Sequence, residues 1–295
     1  MTLEWNKVNL IDCIEGLSQL DDNSVDCFII DPPYNIGKDF GNNKSNKKIQ
    51  EYVNWCESWI LQCERALKPS GTMYIYGFSE VLAHVSCKIN LPYRWLVWHY
   101  TNKTVPSSNF WQRSHESILC VWKQKDERFF NRDAVREPYT DKFVRGFSGK
   151  KRKRPGSKGR FGTTETTYKV NEKGALPRDV IKLSSLAGGK GAERFVYSPS
   201  KKDIFTRKRA KELLSIEDQI THPTQKPIKL TEKLLDACIS DTNSKVVIPF
   251  SGTGSEAFVC NTRGYDWISF EINEHYVEMG SLLIEKGFPT DGEKT

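Results

Sequence analysis

The run VDCFII (25–30) narrows the fold more than any other part of the chain. Apolar residues fall on both sides of its pleat, so a strand made of it is covered on both faces. Strands covered twice belong to parallel sheets flanked by helices. The run ends in Asp31, Pro32, Pro33 and Tyr34. A turn needs at most one of these residue types. An acid, a stiff double kink without N–H donors and an aromatic ring together point to a site at the strand's tip.

The flanking pattern supplies the rest of such a fold. KVNLID (7–12), TMYIYGF (72–78), YRWLVWHY (93–100) and ESILCVWKQ (116–124) read as strands. CIEGLSQL (13–20) reads as a helix, and YVNWCESWILQCERAL (52–67) as an amphipathic helix stopped by KPSG (68–71). SEVLAHVSCKI (79–89) reads as a helix capped by Ser79. Strong pattern returns with a helix at IKLTEKLLDACI (228–239), a strand at KVVIPF (245–250), and a glycine turn into a helix at SGTGSEAFVCNTRG (251–264). A strand, WISFEIN (267–273), and a helix, EHYVEMGSLLIEKG (274–287), follow. Alternating strands and helices predict an α/β protein with a doubly wound, mostly parallel sheet. Residues 125–220 are polar, basic, glycine-rich and weakly periodic. They are too long for an ordinary loop and read as an inserted module.

Charge singles out one part of that module. Lys plus Arg number 44 against 37 Asp plus Glu, a formal +7. Between 142 and 160, KFVRGFSGKKRKRPGSKGR places nine cations and no acid. One reading is a solvated loop. The other is a strip that meets phosphates through Arg145, Lys150, Lys151, Arg152, Lys153, Arg154, Lys158 and Arg160. Phe143, Phe147 and Phe161 interleave it, and aromatics among cations suit stacking on bases.

Two exclusions follow. No stretch approaches the roughly 18 apolar residues of a membrane span, and MTLEWNKVNLIDCIEGL lacks the basic and apolar regions of a leader, which predicts a cytoplasmic, nucleoid-associated protein with no membrane partner. The eight cysteines show no C-x-x-C spacing, which favours buried thiols in a reducing compartment over a metal site.

The second motif is VVIPFSGTGSEAFV (246–259), followed by Glu271 at the end of WISFEIN. Gly252 and Gly254 allow a tight strand–helix turn and close approach of a ligand. An acid closing the next strand suits ribose hydroxyls, so the pair suggests an adenosine-type cofactor. A plain turn with a surface acid is the alternative, and Ala257 in place of a third glycine leaves a dinucleotide reading open.

DPPY at one strand end, FSGTG at another and HPTQKP (222–227) between them resemble the S-adenosylmethionine-dependent amino-methyltransferases of DNA. The order, catalytic motif before cofactor motif, resembles that family's circularly permuted β group. The likeness covers 1–124 and 220–287. It implies a Rossmann-like methyltransferase fold divided into a catalytic half (1–124), a basic target-recognition region (125–220), a cofactor half (221–287) and a tail (288–295). It also implies S-adenosylmethionine as cofactor and double-stranded DNA as partner. A homodimer and a cognate restriction endonuclease are further expectations of the resemblance.

In that setting Asp31 and the Pro32 carbonyl accept the two hydrogens of an exocyclic amine. Pro33 stiffens the turn and Tyr34 stacks on the base, worth about 1–3 kcal/mol per base. The base reaches such a pocket only after flipping out of the duplex. The resemblance implies cofactor contacts from Asp12, Cys13, Asp31, His222, Thr224, Lys226, Phe250, Ser251, Gly252, Thr253, Gly254 and Glu271. Asp12 also suits a helix N-cap, and HPTQKP a stiff turn before a helix. DPPY favours the N6 amine of adenine; the N4 amine of cytosine or an RNA amine is the alternative. A C5-cytosine enzyme would need a Pro-Cys pair, and none occurs. One position departs from the family pattern D-P-F-x-G-x-G: Ile248 stands where the acid that helps bind the cofactor's ammonium is usual. A catalytically silent DNA clamp is the reading that this departure keeps open.

Overall fold

β1 (Val8–Leu10) comes first, and Asp12 then caps α1 (Cys13–Ser18) by accepting the Ile14 N–H at 2.9 Å. β2 (Val25–Ile30), α2 (Ile49–Ala66), β3 (Leu67–Gly77) and α3 (Ser79–Ser86) follow, then the adjacent strands β4 (Tyr93–His99) and β5 (His115–Trp122). Next come α4 (Asp141–Phe147), β6 (Lys151–Lys153), β7 (Glu165–Thr167), β8 (Val180–Lys182), β9 (Phe195–Ser198), β10 (Asp203–Thr206) and α5 (Arg207–Leu213). The chain continues through α6 (Ile228–Cys238), β11 (Lys245–Ile248), α7 (Ser255–Arg263), β12 (Asp266–Glu271) and α8 (Glu274–Lys286). This computed structural model describes residues 2–35, 47–102, 107–147, 151–153, 165–167, 170–186 and 193–291, with backbone alone at 147, 151–153 and 165–167.

Two compact units result: residues 1–130 with 179–295, and Asn131–Arg178. The first holds an eight-stranded sheet in the order β1-β12-β11-β2-β3-β5-β4-β8. All pairings are parallel except those of β5, which runs against both β3 and β4. This is the doubly wound, mostly parallel α/β architecture expected from the alternating pattern. β2 sits in the middle and is buried on both faces. Phe28 and Ile30 join the apolar cluster under α1, α2 and α3, while Cys27 and Ile29 join the cluster under α6 and α7. Each such side chain contributes roughly 1.5–3 kcal/mol of burial.

The structure corrects three local expectations. KPSG does not stop α2 with a turn; it lies inside β3, which begins directly at Leu67. The pairing jumps from Val25–Leu67 to Cys27–Thr72, so 68–71 bulge out of the ladder and accommodate Pro69 there. Ser79 does not cap α3. Phe78 holds the cap position without a side-chain bond, and the Ser79 hydroxyl turns to Ser117 Oγ at 2.8 Å. The weak pattern after 178 conceals real elements: β8 extends the large sheet beside β4, and the β9–β10 hairpin packs on α8 through Phe195, Tyr197, Ile204, Met279 and Leu283.

The Asn131–Arg178 unit contains α4 and the antiparallel pair β6–β7. Arg136 ties it together, donating to Asp133 and to the Gly174 carbonyl, each at 2.7 Å. The hydrogen bond from Arg136 holds the Asp133 carboxyl below its ordinary range. Tyr139 and Phe143 stack with centroids 5.1 Å apart. Of the eight cysteines, Cys13, Cys27, Cys56, Cys63, Cys238 and Cys260 are buried.

Candidate active site

The strand order reverses at β11. The chain leaves β11 for β12 on one side, while its other neighbour β2 opens the opposite half of the sheet. In open α/β sheets a crevice forms at the carboxyl ends of such strands. A cavity of about 360 Å³ lies there, bordered by Asp31, His222, Gly252, Glu256 and Glu271 among others.

Asp31 emerges from β2 into a charged cluster. Lys226 donates to Asp31 Oδ2 at 2.7 Å, and the Tyr34 hydroxyl approaches Asp31 Oδ1 at 2.7 Å and Glu116 Oε2 at 3.1 Å. Lys226 Nζ lies 3.6 Å from Glu116 and faces the rings of Tyr34 and Tyr76 at 5.1 and 5.3 Å. Only 2% of the Lys226 side chain is exposed. Burial opposes its charge, but the attraction of Asp31 and Glu116 outweighs that and holds the ammonium above the ordinary lysine pKa. Burial first, then the same two acids, raise the Tyr34 phenol, which stays protonated and donates. Asp31, Glu116 and Lys226 therefore carry a formal net charge of −1. Asn35, at φ +55°, brackets the turn by exchanging hydrogen bonds with the Lys47 backbone at 2.7 and 2.8 Å.

The glycine turn forms the opposite wall. Gly252 and Gly254 adopt φ +52° and +76°. A Cβ on Gly252 would meet His222 Nε2 at 3.1 Å, and one on Gly254 would strike Gly280 Cα at 2.8 Å. Ser251 is tied to Ser269 Oγ at 3.1 Å, and the Phe250 ring packs against Trp55 and Trp59. Glu271 closes β12. Its Oε2 accepts the Gly252 N–H at 2.9 Å, and its Oε1 accepts those of Ile272 and Asn273 at 2.9 and 3.0 Å. A carboxylate offers about four acceptor sites, so this arrangement leaves one for a further donor, on Oε2. Burial raises the Glu271 pKa despite those three bonds.

Most of the residues singled out in the sequence meet here. Asp12, Cys13, Asp31, Pro32, Pro33, His222, Thr224, Lys226, Phe250, Ser251, Gly252, Thr253 and Glu271 border the cavity. Tyr34 and Gly254 stand behind its wall, Tyr34 packed edge-on to Phe78 at 5.0 Å. Lys226 spends its charge on Asp31. Asp12 borders the cavity and caps α1 at once. Arg145 is exposed on α4, and Lys151, Arg152 and Lys153 form β6; Lys150, Arg154, Lys158 and Arg160 lie outside the described residues.

Two acids escaped the sequence reading. Glu116 is the second residue of β5, opposite Trp98 of β4, and it meets the Tyr34 hydroxyl and the Lys226 ammonium that also hold Asp31. Glu256 lies in the first turn of α7, 5% exposed, with its Oε2 accepting from Ser255 Oγ at 2.7 Å. Burial, then Asp31, push its pKa up to about 7. The residue-level signal was an acid inside the apolar run after the glycines.

The chain is similar to known DNA methyltransferases. Type II methyltransferase M.HpaI of Haemophilus parainfluenzae is 28% identical over 93% of this chain and 73% of its own length. DNA adenine methyltransferase YhdJ of Escherichia coli K12 is 25% identical over 93% and 81%. Among solved structures, the cytosine-N4-specific PvuII DNA methyltransferase superposes with a TM-score of 0.64 at 15% identity, covering 99% of this chain and 89% of its own. The M1.HpyAVI–SAM complex does so with 0.55 at 18%, covering 93% and 97%. The DNA methylase family (N6_N4_Mtase) matches residues 25–282, so the chain, with its paired strand-end motifs around one crevice, belongs to that family.

Proposed function

We propose that this protein transfers a methyl group from S-adenosylmethionine to the N6 amine of adenine at a specific site in double-stranded DNA, after flipping the base. The observation that carries this reading is the meeting of Asp31 and the Gly252 turn in one cavity. The residues fit the cofactor. The cavity of about 360 Å³ is of small-molecule size. The hollow over Gly252 is one that a Cβ would fill, and Glu271 keeps an acceptor site for a ribose hydroxyl. Asp12 would hold the adenine amine, and Phe250 would give the ring an apolar wall. When bound, S-adenosylmethionine supplies an electrophilic methyl group on a sulfonium.

The protein's own part is to hold the amine and to meet the charge it acquires. An exocyclic amine is a weak nucleophile because its lone pair is delocalised into the ring. Asp31 retains an acceptor position on each oxygen beyond Tyr34 and Lys226, and takes one amine hydrogen. The Pro32 carbonyl takes the other. Lys226 pairs with Asp31, and the formal net −1 of Asp31, Glu116 and Lys226 receives the cation that forms as the amine is alkylated. No strong general base is required. In this geometry the Tyr34 ring serves the floor of the site through its hydroxyl, and Pro32 and Pro33 are the groups at the surface the base would meet.

The choice of adenine rests on the acid of DPPY, where the resemblance associates serine with the cytosine amine. The basic strip around Arg145 and 150–160 is proposed to grip phosphates within the target-recognition region. Such an enzyme works in the cytoplasm, at the nucleoid. A cognate endonuclease and a homodimer remain parts of the proposal. The decisive experiment expresses the wild type and Asp31→Ala in cells lacking other methylation and reads plasmid DNA by single-molecule sequencing. N6-methyladenine at one recurring motif, lost in the variant, is expected. N4-methylcytosine instead would transfer the reading to cytosine, and no mark in either strain would sink it.

A further inference from the structure

We propose that Glu256, on the first turn of α7, is the acid that receives the cofactor's ammonium group, in place of the one that Ile248 excludes from the end of β11. The inference rests on the proposed S-adenosylmethionine site and deepens it. Three observations carry it.

First, the usual position is closed to charge. Ile248 is 1% exposed and belongs to the apolar cluster that also holds Ile29, Val246 and Ala257. No carboxylate reaches the cavity from there. Second, Glu256 borders the same cavity, beside Ser255, Thr253 and Asp31. Third, its carboxylate is buried and short of partners. It accepts one hydroxyl, from Ser255, and forms no ion pair among the described residues. A buried acid without a cation is costly, and such groups persist where a ligand completes them. An ammonium would do so here.

The groups facing Glu256 come from several elements. Asp31 follows β2, Tyr76 lies on β3, Lys226 precedes α6, and Cys260 lies one turn along α7. Burial and Asp31 raise its pKa to about 7, while Ser255 and Lys226 oppose the rise. The acid is thus largely protonated at pH 6 and ionised at pH 8. Affinity for a ligand bearing an ammonium should climb across that interval.

The test is calorimetric binding to the full-length protein and needs no turnover. S-adenosylhomocysteine carries the ammonium; 5′-methylthioadenosine has the same adenosine thioether without it. In Glu256→Gln, affinity for S-adenosylhomocysteine should fall by about tenfold or more at pH 8, as loss of a charge-assisted bond requires. Affinity for methylthioadenosine should change less than about twofold, within the range of neutral contacts. In the wild type the S-adenosylhomocysteine affinity should rise from pH 6 to 8. The variant should lose that slope, which separates Glu256 from His222 in the same cavity. Wild-type-like S-adenosylhomocysteine binding by Glu256→Gln would overturn the proposal, as would equal losses for both ligands. If the wild type binds neither compound, the cofactor reading itself falls, and the variants are not needed to see it.

Discussion

At the scale of single residues the site is a matter of balanced charge. Lys226 is the only cation in contact with Asp31 among the described residues, and it is 2% exposed. Replacing it by Met leaves two acids facing each other without compensation. Breaking a buried pair costs about 3–5 kcal/mol. Lys226→Met should therefore lower the melting temperature by roughly 6–20 °C, given about 2–4 °C per kcal/mol for chains near this size. Methylation should be lost as well. A scan unchanged within error would show that Asp31 does not depend on Lys226. Glu256 gives a pH signature in the ligand-free protein. Its folded pKa, about 7, lies above the ordinary value of 4.5. Its contribution is therefore fully present below pH 4.5 and lost as the pH rises through 7, an amount on the order of 3 kcal/mol. Glu256→Gln should flatten the fall in melting temperature between pH 5 and 8; an unaltered fall would assign it to other groups. Lys226 adds no slope in that window, since its raised pKa matters only above 10.5. The sequence showed Asp31 and the glycines because local chemistry marks them. It hid Glu116 and Glu256 because their roles depend on strand register and helix rotation, which no short window encodes.

Among elements, the legible ones were those whose period is set by burial on known faces. β2, α2, α6 and the β11–α7 turn all lie where their patterns put them. The reading failed where a tertiary partner overrides a local signal. Pro69 and Gly71 look like a helix stop, yet β2 holds them in β3 through a bulge. β8 to β10 are three- or four-residue strands, too short for periodicity, and β8 pairs with β4, which is remote in sequence. The packing of α7 on α8 shows how little room an element can have. Gly254 meets Gly280 at a distance that admits no Cβ, and its φ is +76°. Gly254→Ala should cost about 1–3 kcal/mol in backbone strain alone. It should also displace the turn enough to abolish binding of S-adenosylhomocysteine. Differential scanning calorimetry and titration would check both, and near-normal binding would mean that the turn tolerates the shift.

On the scale of the whole molecule, Asp31 and Lys226 are 195 positions apart and share one hydrogen bond. The sheet order makes that meeting unavoidable once β2 and β11 are neighbours. The +7 charge belongs to this scale too, since nine cations fall within 142–160. Replacing Arg145, Lys151, Arg152, Lys153 and Arg154 by Gln should weaken binding to all DNA sequences alike. For every phosphate that thereby goes unneutralised, the slope of log K against log salt should shrink by about 0.9. An unchanged slope would remove the strip from the DNA interface. The division of the chain has a longer consequence. The sheet-bearing unit is interrupted once, after Phe130, and resumes at Asp179. Every pairing of the large sheet is made by residues outside that interval. Drift within 131–178 therefore does not have to be matched by compensating change in the strands. If that interval reads the target as proposed, two lineages could come to mark different words in a genome while inheriting the same grammar of chemistry.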